Sequence, residues 1–150
     1  MTSFIGKYKS RLDDKGRMVF PSPLKGLMPA GGDMRFVVRK DIFRKCLEML
    51  TYEQWTLEVE SMKARLDFLN PEHASFWSYY TSENFVVEPD SKLGRITVPK
   101  VLLDYIGADK QVVFSGNVFK IEIWAEEEFE RGQISHKEFI AIAESLSRNK

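Results

Sequence analysis

The sequence predicts an α+β fold: two β-rich halves of a tandem duplication, joined as one pseudo-two-fold unit with helices packed around it. The first observation is a ten-residue stretch, Leu12-Asp13-Asp14-Lys15-Gly16-Arg17-Met18-Val19-Phe20-Pro21, that combines a turn, a strand start and two cations. The second is its recurrence as Lys92-Leu93-Gly94-Arg95-Ile96-Thr97-Val98-Pro99, again cation, glycine, arginine, three strand residues and proline. Two copies are too few for a solenoid, which stacks repeats to bury its core. The third is helical periodicity between residues 52 and 82, which supplies the α part.

In chain order, an apolar, β-prone patch at Phe4-Ile5 precedes the first copy. Asp13 and Asp14 open a turn that Gly16 relieves, because glycine takes positive φ without steric cost. Met18-Val19-Phe20 is a short strand ended by Pro21. A helical turn follows at Leu24 to Leu27, then a loop from Met28 to Asp33. Phe36-Val37-Val38 and Cys46-Leu47-Glu48-Met49-Leu50 read as strands. Thr51 and Gln54 form a capping box opening a helix over 52–69, with Trp55, Val59, Met62, Leu66 and Leu69 on one face. Asn70 as N-cap and Pro71 at the first helical position start a second helix over 71–82, rich in aromatics: Phe76, Trp77, Tyr79 and Tyr80.

The second half repeats the strands as Phe85-Val86-Val87, the Gly-Arg copy, Val112-Val113-Phe114 and Lys120-Ile121-Glu122-Ile123-Trp124. Ala125 to Glu130 is a short acidic helix start, suited to the positive end of the macrodipole, and Gly132 ends it. Ser135 and Glu138 form a further capping box, opening a helix with Phe139, Ile142, Ala143 and Leu146 on one face.

A chain of 150 residues, 43% apolar and 29% charged, has the composition of a soluble globular protein. No apolar run approaches the roughly 18 residues of a membrane span, and Met1 to Lys7 lacks the apolar core of a signal peptide, so the expected location is cytoplasmic. The single cysteine, Cys46, sits in an apolar strand and reads as a core residue of a reducing compartment. Twenty-two basic residues balance 22 acidic ones, against the basic excess usual for nucleic-acid binders. The distribution is uneven, however. Lys7, Lys9, Arg11, Lys15, Arg17 and Lys25 precede residue 26 against only Asp13 and Asp14, and Arg35, Arg39, Lys40, Arg44 and Lys45 form a second cluster. One basic face suffices to bind a polyanion at zero net charge.

Phe4-x-Gly6, Leu12-Asp13-x-Lys15-Gly16-Arg17-x-x-x-Pro21, Asn70-Pro71, Gly94-Arg95-x-x-x-Pro99 and Ile121-Glu122-Ile123-Trp124, in this order and spacing, resemble the MraZ family of bacterial transcriptional regulators. The resemblance runs from about Phe4 to Phe129. It implies a pseudo-two-fold double swapped-hairpin β-barrel with flanking helices, built from two AbrB-like half-domains over 4–51 and 84–130. A helical pair over 52–83 connects them and a C-terminal helix occupies 131–150. The resemblance further implies a nucleoid-associated repressor that binds repeated boxes of double-stranded DNA upstream of its own cell-division and cell-wall genes as a ring-like homo-oligomer. Multivalency of that kind makes a weak single site tight.

Each Gly-Arg arginine reads two ways, as a surface charge or internal ion pair with Asp13, or as a DNA contact. Two copies with the same cation spacing favour DNA, since an arginine fork takes a phosphate or a guanine edge bidentately. The candidate contacts are Lys15 and Arg17, with Lys92 and Arg95 in support and Arg11 and Lys9 nearby in sequence. The family resemblance assigns the DNA contact of the first copy to Arg17. In the second copy the family's aspartate, three residues before the glycine, is Ser91, with Asp90 one residue earlier. Either the serine replaces the aspartate or the turn is one residue longer. The aromatics after Asn70-Pro71 read as core or inter-subunit packing rather than base stacking. No enzyme is expected. His73 and His136 lack partners at metal-ligand spacing, phosphate-loop and dinucleotide fingerprints are absent, and Glu126 to Glu128 point in different directions along a helix. Neither cofactor, small-molecule substrate nor membrane is expected. The other reading is an oligomeric interaction module whose basic turns bind an acidic protein.

Overall fold

The computed structural model describes residues 2–148, so Asn149 and Lys150 of the expected C-terminal segment lie outside it. The chain runs β1 (Lys7–Arg11), β2 (Arg17–Val19), α1 (Ser22–Lys25), β3 (Phe36–Lys40), β4 (Leu47–Thr51), α2 (Tyr52–Ala64), α3 (Pro71–Ser82), β5 (Phe85–Val87), β6 (Arg95–Thr97), α4 (Lys100–Ile106), β7 (Gln111–Gly116), β8 (Ile121–Ala125), α5 (Glu126–Phe129) and α6 (His136–Arg148). The fold is α+β. Six strands form an antiparallel sheet in the order β1-β7-β8-β4-β3-β5, and β2 pairs with β6 as a separate ribbon.

The sheet order reads the same from either edge once each strand is exchanged for its counterpart in the other half. β1 pairs with β7 of the second half, and β5 with β3 of the first. The eight strands do not close into one barrel. The strands of the ribbon are three residues long and are soon followed by Pro21 and Pro99, which offer no N–H to extend a ladder.

Alternation along each strand divides the sheet into two faces. On one face Phe36, Val38, Leu47, Met49, Val112, Phe114, Ile121 and Ile123 form the main core. The ribbon closes over it with Met18 and Ile96, and Leu24 of α1 and Leu102 of α4 fill its flanks. Phe20 sits with its ring 5.2 Å from Phe36 and 6.0 Å from Phe114. The opposite face mixes buried apolar residues, Val37, Leu50, Val113 and Trp124, with a polar network: Arg39 bonds Glu48 at 3.0 Å and Glu58 of α2 at 2.7 Å, and its Nη1 donates to Tyr80 Oη of α3 at 3.2 Å. These bonds tie α2 and α3 to the sheet.

Several expectations shift. The first strand is not Phe4-Ile5 but Lys7–Arg11. As an edge strand it turns only Tyr8 and Ser10 inward, so its apolar signal is weak. Phe4 instead makes an isolated bridge to Val118. The helix over 52–69 ends at Ala64. Beyond it Asp67 donates its N–H to His73 Nδ1 at 2.9 Å and accepts the Leu69 N–H at 3.0 Å, which diverts backbone groups from the helix. Its capping box is half formed. Thr51 accepts the Gln54 N–H, but the Gln54 side chain turns to Glu58. Asn70 caps α3 as expected, and the Ser135–Glu138 box is reciprocal. Cys46 is fully buried, and desolvation pushes its thiol far up, which keeps it protonated and inert.

Candidate nucleic-acid interface

The two Gly-Arg copies, remote in sequence, are one object in space. Arg17 lies opposite Thr97, Met18 opposite Ile96 and Val19 opposite Arg95. Directly opposed residues share a face, so Met18 and Ile96 enter the core while Arg17, Val19, Arg95 and Thr97 point outward. The two arginines stand on a diagonal of the ribbon, roughly 7–8 Å apart by antiparallel geometry. The strands are antiparallel, so the turns preceding them lie at opposite ends, each with an exposed lysine, Lys15 at one and Lys92 at the other. Two arginines therefore share the outward face of the ribbon, with an exposed lysine in the turn at each end.

Each turn is locked by an aspartate. Asp13 Oδ1 accepts the N–H groups of Lys15 and Arg17, both at 2.9 Å, and its Oδ2 takes Arg17 Nε at 2.7 Å. Those bonds, the Arg17 N–H foremost, hold the Asp13 carboxyl below its ordinary value. Gly16 adopts φ +80°, and its backbone passes so close to Val98 that a Cβ there would lie 2.7 Å from the Val98 carbonyl oxygen.

In the second copy Asp90, not Ser91, is the turn residue, and the turn is one residue longer. Asp90 Oδ1 accepts from Lys92, Leu93 and Gly94 at 2.8–3.1 Å, and Oδ2 takes Arg95 Nε at 3.1 Å. The carboxyl is pulled down to about 2, chiefly by the Leu93 N–H. Both readings of the arginine thus have a structural basis. The ion pair to aspartate is present, but it uses Nε only. Among the described residues, the Nη atoms of Arg17 and Arg95 have no hydrogen-bond partner and Lys15 and Lys92 no ion pair. The aspartates orient the guanidinium forks and leave their ends open.

Lys9 and Arg11 are placed elsewhere. They alternate with the inward Tyr8 and Ser10, which puts them on the sheet face away from the ribbon, and Lys9 bonds Glu126 at 3.3 Å. The second basic cluster is largely taken up internally. Arg35 pairs with Asp33, Arg39 with Glu48, Lys40 with Glu83 and Arg44 with Glu122, and Lys45 lies 3.9 Å from Glu128. The ribbon differs from that cluster in that its cations keep open ends. The exposed Val19 and Thr97 between its arginines were missed by sequence reasoning, because only the β2–β6 register puts them there.

Trp77 and Tyr80 of α3 are half-buried on the face away from the ribbon, Trp77 edge-on to Phe68 with centroids 5.7 Å apart, while Tyr79 is exposed. His73 caps the turn before its helix. Among the described residues there is no cluster of three or more His, Cys, Asp or Glu able to hold a metal ion, and no helix long and apolar enough to cross a membrane.

The family model of the MraZ protein, described as antitoxin-like, matches residues 81–149. A protein named transcriptional regulator MraZ from Bacteroides thetaiotaomicron is 34% identical over 97% of this chain and 93% of its own length. Relatives of the same name from Bacteroides fragilis and Clostridium beijerinckii are each 31% identical, covering 99% and 96% of this chain and 93% and 96% of their own. On this sequence similarity, the chain belongs to the MraZ family.

Proposed function

We propose that this chain is a sequence-specific DNA-binding transcriptional regulator, and that the β2–β6 ribbon is its DNA-reading element. The observation that carries this is the pair Arg17 and Arg95 on the outward face of the ribbon, both guanidinium forks aimed by carboxylates yet open at their ends, with exposed Lys15 and Lys92 in the turns at its two ends. A two-stranded ribbon fits a major groove about 12 Å wide, and an oriented arginine takes guanine O6 and N7 bidentately. Lys15 and Lys92, at the two ends, suit flanking phosphates. Arg11 and Lys9, on the far face, have no part in this contact.

Family membership supports the finer reading. The interleaved pairing of β1 with β7 and β5 with β3 fits swapped-hairpin half-domains over 4–51 and 84–130, with 52–83 as connector and 131–150 as a C-terminal helix. The regulator works as a ring-like homo-oligomer on repeated boxes, represses its own cell-division and cell-wall genes, and is cytoplasmic and nucleoid-associated. Four open cations per subunit are few, and repetition around an oligomer raises their combined affinity. The uncovered apolar face of α6, with Phe139, Ile142 and Leu146 all more than half exposed, supports self-association.

Fluorescence anisotropy on the chain's own upstream DNA and a scrambled duplex, across salt, tests the reading. Preference for the upstream DNA with affinity falling as salt rises is expected. Absence of binding to either duplex at low salt would overturn it and promote an acidic protein as the partner of the ribbon.

A further inference from the structure

The outward face of the β2–β6 ribbon has a restricted chemistry. Met18 and Ile96 are buried, so the face consists of Arg17, Val19, Arg95 and Thr97. It holds two guanidinium forks and two β-branched, methyl-bearing side chains, with no carboxylate and no amide. In a major groove that set is selective. Cytosine offers a donor that calls for a carboxylate, and adenine pairs with an asparagine or glutamine amide. Guanine takes an arginine fork, and the thymine C5-methyl takes an apolar contact, for which a threonine methyl serves.

The register couples the two kinds of side chain. Val98 donates its N–H to the Gly16 carbonyl, and Phe20 its own to the Gly94 carbonyl, both at 2.9 Å. Hydrogen-bonded pairs alternate with non-hydrogen-bonded ones along an antiparallel ladder. Arg17–Thr97 and Val19–Arg95 are therefore of the second kind, in which side chains lie closest. Each arginine of one copy stands beside the methyl-bearing residue of the other. Their Cβ atoms lie about 4.5–5.5 Å apart, against a base-pair rise of roughly 3.4 Å, so fork and methyl reach neighbouring bases. The forks do not cover these neighbours. Asp13 and Asp90 hold Arg17 and Arg95 from the turns at the two ends, and Val19 stays 48% exposed. Ser10 Oγ donates to the Val19 carbonyl at 2.8 Å, which pins that strand, and β-branching restricts both side chains at χ1.

We propose that Val19 and Thr97 read thymine methyl groups, each next to the guanine taken by the arginine opposite it. The ribbon then specifies two guanine–thymine neighbours, and each half of the chain supplies the arginine of one and the methyl of the other. This inference rests on the reading of the ribbon as the DNA-contacting element and adds a second base to each arginine contact.

Replacing thymines of the upstream duplex by deoxyuridine, one position at a time, tests this, because it removes only the C5-methyl. In fluorescence anisotropy, wild type is expected to lose about fourfold in affinity at thymines beside a contacted guanine, the effect of one buried methyl-sized group. Val19→Ser and Thr97→Ser, the latter keeping its hydroxyl, are each expected to abolish that loss at a different subset of these thymines. Each variant is compared with itself on the thymine and deoxyuridine duplexes, so any loss of folded protein cancels. A wild type that prefers the upstream duplex to a scrambled one but binds its deoxyuridine forms equally well overturns the methyl contacts and leaves DNA recognition standing. A loss that persists unchanged in both serine variants overturns the assignment to Val19 and Thr97. Absence of binding to the upstream duplex removes the DNA reading and this inference with it.

Discussion

Glu48 and Glu122 face each other directly across the central β4–β8 pair, both buried. Like charges at such a position repel, so each carboxylate needs its own donors. Glu48 is met by Arg39 and by Lys120 Nζ at 2.8 Å, while Glu122 is met by Arg44, by Asn117 Nδ2 and by Trp124 Nε1, the last two at 2.9 Å. Each network crosses the duplication, for Lys120 of the second half serves Glu48 and Arg44 of the first serves Glu122. The polar centre of the sheet is thus a joint between the halves.

Removing Arg39 leaves Glu48 and Glu58 short of a buried partner and Tyr80 short of a donor. Arg39→Ala is expected to cost about 3–5 kcal/mol, the usual penalty for breaking a buried ion pair. Urea denaturation followed by tryptophan fluorescence measures it, and a loss below about 1 kcal/mol would mean that Lys120 alone satisfies the carboxylates.

The two turn glycines differ in their surroundings. A Cβ on Gly16 would press against the Val98 carbonyl, whereas one on Gly94, at φ +68°, would meet nothing within 4 Å. Gly94→Ala is therefore expected to cost about 1–2 kcal/mol from its left-handed backbone alone. Gly16→Ala should cost distinctly more, and thermal melts of the two variants side by side rank them.

Acid should unlock the second turn. The Asp90 carboxyl is depressed to about 2 from an unfolded value of 3.8, so its stabilisation is fully present above the unfolded value and is lost as pH falls through the folded one. An NMR titration should find the Asp90 carboxyl midpoint near 2, with the Leu93 amide shifting in step. A midpoint at 3.8 or above would show that the bonds from Lys92, Leu93 and Gly94 are not maintained in solution.

Charge alone should not replace Arg17. In Arg17→Lys an ammonium retains the positive charge but loses both the Nε anchor to Asp13 and the planar fork. Arg17→Ala is expected to weaken binding to upstream DNA by ~1–3 kcal/mol, with most of that loss shared by Arg17→Lys and little change on a scrambled duplex. Anisotropy on both duplexes decides. Full affinity in the lysine variant would recast Arg17 as a phosphate contact.

What the sequence by itself determined is local. Asn70-Pro71, Thr51 and Ser135-Glu138 each start a helix because a cap satisfies backbone N–H groups within three residues of itself, and such bonds depend on no distant partner. The repeated Gly-Arg motif was legible for the same reason. Its turn is closed by its own aspartate and relieved by its own glycine, although the five-residue reach from Asp90 to Arg95 was left open between two readings until the bonds could be seen. Tertiary structure alone decided that Arg17 and Arg95 share one ribbon, that Lys9 and Arg11 face away from it, and that the cluster from Arg35 to Lys45 is largely consumed by carboxylates remote in sequence. The physical reason is that caps and turns are satisfied by neighbours along the chain. Strand pairing and the fate of a charge depend on which distant residue arrives opposite, and that is decided only when the whole core closes.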